Sequence, residues 1–138
     1  MGLDQYILLK TNKEYPIKMN ENGEYTNADL IFSSNKWYWL NNYLMETGEE
    51  ILQIHRSELN SKYIPIPKEE LEKLCDWCNE CLQEKSPYNA ITNINSYFSI
   101  NIIDKKDLTQ IQEQMRQFIG EVKQYLDKEG RFFYIAWW

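Results

Sequence analysis

The chain has 138 residues, 43% hydrophobic and 14% aromatic, with 15 Lys and Arg against 21 Asp and Glu for a formal net charge of −6. That is long enough for one domain with its own core and far from a disordered composition, and no apolar run nears the roughly 20 residues of a membrane helix. The acidic balance excludes a general nucleic-acid binder, which needs Lys and Arg to neutralise phosphates, but it permits a basic partner. Imitation of nucleic acid toward a nuclease or repressor is conceivable for such a surface, though plain solvation is its ordinary use. We expect a single domain over residues 1–138, without repeats or low-complexity segments. The N-terminus lacks the basic and apolar regions of a signal peptide, and Tyr6 stands where a myristoylation site needs Ser or Thr. The expected location is therefore the cytosol, with no membrane association.

Taken in order, Leu3 to Leu9 is an apolar run of strand length, and Glu14 to Met19 predicts a second strand edged by Pro16. Asn20 to Asn27, containing Asn22-Gly23, predicts a turn or loop. Ser33-Ser34-Asn35 offers caps for a helix through about Glu46, with Trp37, Leu40 and Leu44 on one face and Gly48 as its stop. Pro65 and Pro67 keep Ser61 to Ile66 extended, and Pro67 suits the first turn of a helix to about Glu84. The apolar face of that helix is Leu71, Leu74, Cys75, Cys78 and Leu82. Ser86-Pro87 interrupts the chain, and the alternation from Tyr97 to Ile102 predicts a strand within Tyr88 to Ile103.

The C-terminal stretch organises the rest. Leu108, Ile111, Met115, Phe118, Ile119, Val122 and Leu126 recur at three- and four-residue steps, so they share one helical face that must be buried. Asp104 and Asp107 suit its N-terminus, and Gly130 marks its stop. Arg131 to Trp138 then reads as a strand, with Phe133, Ile135 and Trp137 on one side and Phe132, Tyr134, Ala136 and Trp138 on the other. Both sides are apolar, which predicts a helix over one and more protein, such as a second copy, over the other. The fold expected is α+β: a mainly antiparallel sheet containing the N- and C-terminal strands, packed against about three helices.

Few motifs carry chemistry. Cys75, Cys78 and Cys81 have metal-site spacing, but no fourth Cys exists and the one His is remote at His55. They also lie inside a helical pattern, so buried thiols are the better reading; the odd count fits a reducing compartment. His55-Arg56 could serve acid-base work or a phosphate contact, yet no partner motif surrounds it, and no nucleophile elbow, zinc-protease signature or glycine-rich phosphate loop is present. Glu121-Val122-Lys123 resembles a nuclease dyad but falls mid-helix, where a solvated face accounts for it. The chain is expected to be non-enzymatic, with no cofactor and no metal. The surplus lies in its aromatics. Trp37-Tyr38-Trp39 with Tyr43 covers more of a helix than one core face requires, and Trp138 sits beside Trp137. Lys36, Arg56 or Arg131 could hold a phosphate while such rings stack a base. The candidate ligand- or partner-binding residues are thus Lys36, Trp37, Trp39, Tyr43, Arg56, Arg131 and Trp138, with core packing or a dimer interface as the plainer use of the rings.

Several segments together point to a family: Met1-Gly2-Leu3-Asp4 and Tyr6 at the start, Lys36-Trp37-Tyr38-Trp39 opening a helix, Tyr63-Ile64-Pro65 before a helix with Leu71 and Cys78, and an aromatic strand ending in Trp138. They resemble a widespread family of small uncharacterised phage and prophage proteins that opens Met-Gly-Leu-Asp-Met-Tyr and closes on a short aromatic strand and Trp. Gln5 replaces the family's Met, and Ser96-Tyr97-Phe98-Ser99 only echoes its Gly-Phe-Phe-Phe-Gly-like segment. The resemblance brings no catalytic residues. It implies a phage origin and an accessory role, which the abundance of Asn and Lys over Arg fits through an AT-rich genome. With the missing catalytic constellation, the small size, the acidic charge and the surplus aromatics, the expected function is a phage or prophage binding protein that antagonises a bacterial host defence by occupying a host protein, in the manner of an anti-CRISPR inhibitor. The alternatives are a homo-oligomer that sequesters a nucleotide immune signal and, less favoured, a small nucleotide phosphodiesterase or nuclease. The partners expected are a host defence protein or nucleotide signal and a second copy of the chain, with no direct contact to nucleic acid.

Overall fold

The two ends of the chain lie side by side at the centre of one antiparallel sheet. The computed structural model describes residues 2–11, 16–102 and 104–138. In chain order the elements are β1 (Asp4–Lys10), β2 (Asp29–Asn35), α1 (Tyr38–Leu52), β3 (Ile64–Ile66), α2 (Lys68–Gln83), α3 (Pro87–Phe98), α4 (Lys105–Val122) and β4 (Arg131–Trp137). Short 3-10 turns follow α1 at Arg56–Glu58 and α4 at Lys123–Tyr125. The strand order is β2-β1-β4-β3, with every neighbouring pair antiparallel. The α+β expectation holds, with four helices among the described residues.

Because β1 and β4 pair in unbroken register, Ile7 faces Tyr134 and Leu9 faces Phe132 on one side of the sheet, while Leu8 faces Phe133 and Tyr6 faces Ile135 on the other. The first side joins the main core with Leu40 and Leu44 of α1, Leu71 and Leu74 of α2, and Met115 and Phe118 of α4. Burying a large apolar side chain contributes about 1.5 to 3 kcal/mol, so the α4 stripe read from the sequence holds that helix against α2 and β2. Asp104 Oδ1 accepts the Asp107 backbone N–H at 2.8 Å, capping α4 as expected. The α-helix ends earlier than Gly130, at Val122, and the 3-10 turn carries Leu126 on into the core. Gly130 then makes the turn into β4 with φ +138°, close against the Lys10 backbone.

The other side of the sheet is largely covered by the chain itself. Leu8, Phe133 and Ile135 are buried without a second copy. Tyr25, from the loop after Pro16, lies against this side, hydrogen-bonded to Tyr63 and close to Tyr6, and burial raises its phenol pKa.

Three sequence expectations are corrected. Ser33, Ser34 and Asn35 are the end of β2 and cap nothing; the N-cap of α1 is Trp37, which has no side-chain capping bond. Gly48 lies inside α1, which runs on to Leu52 and ends with Gln53 in the left-handed conformation. The glycine is there for closeness: a Cβ at Gly48 would sit 3.0 Å from Ile64 Cδ1 and 3.2 Å from Leu59 Cδ1. The strand expected within Tyr88 to Ile103 is instead α3, opened by the Ser86 hydroxyl accepting the Asn89 N–H, with Pro87 in the first turn. Its buried residues Ala90, Ile94 and Phe98 follow a four-residue step, which outweighs the short alternation after Tyr97. Asn95 then holds Ile102 through both its backbone N–H and its carbonyl, at 2.9 Å each, so that tail is tied by a side chain and not by a sheet. Of the strand expected over Glu14 to Met19, Glu14 and Tyr15 lie outside the described residues, and Pro16 to Met19 contributes one bridge, Met19 to Tyr25.

Candidate binding surface

The predicted site residues do not converge on one place. Trp39 is 2% exposed, with Phe98 and Phe118 set edge-on against it and its indole N–H donating to Gln114 Oε1 at 2.8 Å. Trp37 is partly buried, stacked on Trp39 and tilted against Phe32. Tyr43 is buried and donates its hydroxyl proton to Glu70 at 2.9 Å; burial and this carboxylate raise its pKa. These three rings serve packing. Lys36, in a positive-φ turn, lines a cleft of about 290 Å3 between α1 and α4 together with Asp107. Arg131 stands 5.6 Å over the Phe133 ring at the start of β4 and shares a different cleft with Lys68.

Arg56 and Trp138 do come together. Both line a cleft of about 440 Å3 at the far end of β4, with Leu3, Tyr38, Asn41, His55 and Ser57. The backbone there is fixed. Asn60 donates to the Trp138 carbonyl at 3.0 Å and accepts the Trp138 N–H at 3.1 Å, while the Ser61 N–H bonds the Ala136 carbonyl at 2.8 Å. The guanidinium is oriented by Nε donating to Glu49 Oε1 at 3.1 Å and Nη1 to Asn42 Oδ1 at 3.2 Å. His55 Nδ1 accepts the Ser57 N–H at 3.1 Å, so this nitrogen carries a lone pair and a neutral ring holds its proton on Nε2.

A buried relay lies behind Asn41. Gln5 donates its amide to the Trp37 carbonyl at 3.0 Å, which leaves its Oε1 to accept the Tyr134 hydroxyl proton at 2.6 Å. Asn41 Oδ1 lies 2.8 Å from the same hydroxyl. A hydroxyl has one proton to give, so the two amide oxygens are alternative acceptors for it. Burial moves the Tyr134 pKa well above the ordinary phenol value, which keeps that proton in place.

On the opposite side of β4 a second depression, of about 540 Å3, is lined by Tyr6, Met19, Tyr25, Leu30 and Trp137 among others. Met19, Leu30 and Trp137 are each 49% exposed. The sequence places Tyr38 and Trp137 in the aromatic surplus without making them binding residues, and it does not single out Leu30. The alternation of β4, which sends two neighbouring tryptophans to opposite sides, is the signal for Trp137.

Reactive chemistry finds little support in the geometry. Among the described residues no group of three or more His, Cys, Asp or Glu side chains could hold a metal ion. Cys75, Cys78 and Cys81 are buried on α2, where loss of solvent raises their thiol pKa values, to about 11 for Cys75 and about 12 for Cys81. Such thiols are neutral and inert at physiological pH. Glu121 and Lys123 lie at the end of α4 on its solvent side. No described helix is long and apolar enough to cross a membrane. No protein-family model matches the chain, and no curated protein and no solved structure is significantly similar to it.

Proposed function

We propose that this is a non-enzymatic accessory binding protein of a phage or prophage, which antagonises a host defence by docking on a host protein. One observation carries the docking part of this reading. Met19, Leu30 and Trp137, half-exposed, gather around one depression beside the edge strand β2, on a sheet whose other apolar positions are covered. Contiguous apolar surface with a tryptophan at its rim is the composition of protein-interface hot spots. Asp29 and Glu24 border the depression, which suits a partner with basic residues around an apolar centre. The phage origin is supported by the N-terminal and C-terminal motifs, and the defence target by the small size, the acidic charge and the surplus aromatics.

The test is affinity capture with the purified protein from defence-active bacterial extract, followed by reconstitution with the captured protein. Trp137→Ala and Leu30→Lys are expected to weaken the reconstituted complex by at least about tenfold, roughly 1.4 kcal/mol each, the scale of an interface hot spot. Binding that survives both substitutions excludes this surface. A second reading, sequestration of a nucleotide signal by a homo-oligomer, is favoured by Trp138 and Arg56 sharing one cleft.

A further inference from the structure

We propose that the free edge of β2 takes an extended, basic segment of a partner protein as a fifth strand of the sheet, with an apolar side chain of that segment seated in the depression beside Leu30. This rests on the docking reading above and adds the mode of docking to it. β2 pairs with β1 alone, and Asp29 to Asn35 make no other hydrogen bond among the described residues. The direction of its open groups follows from the ladder. The Lys36 N–H donates to the Leu3 carbonyl at 2.8 Å, and Asn35, Ser34, Ser33 and Phe32 stand opposite Asp4, Gln5, Tyr6 and Ile7 in turn. Bonded and non-bonded pairs alternate in an antiparallel ladder, so Ser34 and Phe32 bond β1, while Ser33 and Asn35 turn their N–H and C=O groups outward. Both of the latter residues are exposed.

The two edges of the sheet differ. β3 has three residues with Pro65 at their centre, and a proline, lacking an N–H, blunts an edge. β2 has seven residues and neither proline, lysine nor arginine, the usual guards of an open edge. Its one irregularity is Ile31, the extra residue where the register moves from Ile7–Phe32 to Leu8–Leu30. That bulge confines regular pairing to Phe32 through Asn35, so backbone bonds from so short a stretch need a side-chain anchor to hold a partner. The depression supplies it. Leu30 and Tyr6 line it from β2 and β1, and Ser33, the residue between Tyr6 and the edge, is too small to wall it off. Charge selects the occupant. Glu24 and Asp29 line the depression with no cation among the described residues, and Asp4 is exposed between Asn35 and Trp137 on the same side. None of these three carboxylates is ion-paired among the described residues. A second copy would bring the same carboxylates against them, whereas a segment alternating Lys or Arg with apolar residues answers both features.

The probe is a surface-displayed library of random peptides about a dozen residues long, panned against the immobilised protein. The enriched peptides are expected to alternate apolar and basic residues and to bind the wild-type chain at least about tenfold more tightly than Asp29→Lys or Ser33→Pro. Proline in place of Ser33 removes an outward donor and leaves the β1 ladder its bonds, so the sheet keeps its pairing. A measurement on the unaltered chain guards against misfolding of either variant: at saturating peptide, amide exchange at Ser33 and Asn35 should slow by about tenfold or more. The proposal is overturned by no enriched peptide, by enriched peptides that bind Ser33→Pro and wild type equally, or by unchanged exchange at both amides. Sedimentation of the protein alone covers the other occupant: a dimer that Ser33→Pro dissociates would give the edge to a second copy and overturn the basic partner. The docking reading fails separately. A captured host protein that is weakened by Trp137→Ala and Leu30→Lys but unaffected by Ser33→Pro keeps the docking surface and rejects strand addition. Peptides that pass every test while no host protein binds reject the host partner and keep the edge.

Discussion

Tyr134 joins three elements through one hydroxyl. It lies 2.6 Å from Gln5 Oε1 of β1 and 2.8 Å from Asn41 Oδ1 of α1, either of which can take its proton, while Gln5 in turn holds the carbonyl that begins the helix. Tyr134→Phe strands the buried Gln5 oxygen, and an unsatisfied buried acceptor costs about 1 to 3 kcal/mol. Urea unfolding should show a loss in that range, and a loss below about half a kcal/mol would mean water replaces the hydroxyl. Two glycines make an opposed pair. Gly130 sits at φ +138° where a Cβ would be 2.7 Å from the Lys10 carbonyl oxygen, so Gly130→Ala should destabilise by at least about 1 kcal/mol. Gly120 is helical and exposed, and an added methyl there would meet nothing within 4 Å, so Gly120→Ala should stabilise by about 0.4 to 1 kcal/mol. The same unfolding experiment checks both signs.

At the scale of elements, what could be read in the sequence was what rests on long-range periodicity. The α4 stripe spans five turns and β4 carries an unbroken aromatic run, so both showed through, as did α2 behind Pro67. Elements decided by partners did not. β2 has a seven-residue run, Asp29 to Asn35, whose polar end resembles a helix cap until β1 pairs with it. Gly48 looked like a stop because only the tertiary contact with Ile64 and Leu59 shows why a helix would keep a glycine. The Arg56–Trp138 pairing spans 82 positions of sequence and follows from β4 closing beside β1, which no local pattern encodes. The thiols of α2 add a pH prediction. Their folded pKa values, about 11 for Cys75 and about 12 for Cys81, lie above the ordinary value of 9.0, so above pH 9 the unfolded chain loses protons that the folded chain keeps. Their contribution to stability is therefore complete below pH 9 and declines as pH rises toward 11 and 12. Unfolding midpoints should fall over that window, and Cys81→Ala should make the fall shallower; an unchanged slope would assign it to other groups such as the buried tyrosines.

For the whole molecule, most of the sheet is buried by its own chain, and apolar side chains are left open at Leu30 of β2 and at the end of β4. There Trp137 and Trp138 emerge on opposite sides, one into an apolar depression and one into a cleft with Tyr38 and Arg56, while Trp37, Trp39 and Tyr43 are committed to packing. On the reading proposed above, such a protein acts by holding something. The most direct measurement is native mass spectrometry of the protein, alone and after exposure to extract of defence-active bacteria, for wild type and for Trp137→Ala and Trp138→Ala. The account predicts a stoichiometric partner on the wild-type chain that one of the two substitutions removes, a host protein lost with Trp137 or, on the second reading, a nucleotide lost with Trp138. Retention of the same partner by both variants, or no partner on the wild type, would contradict it.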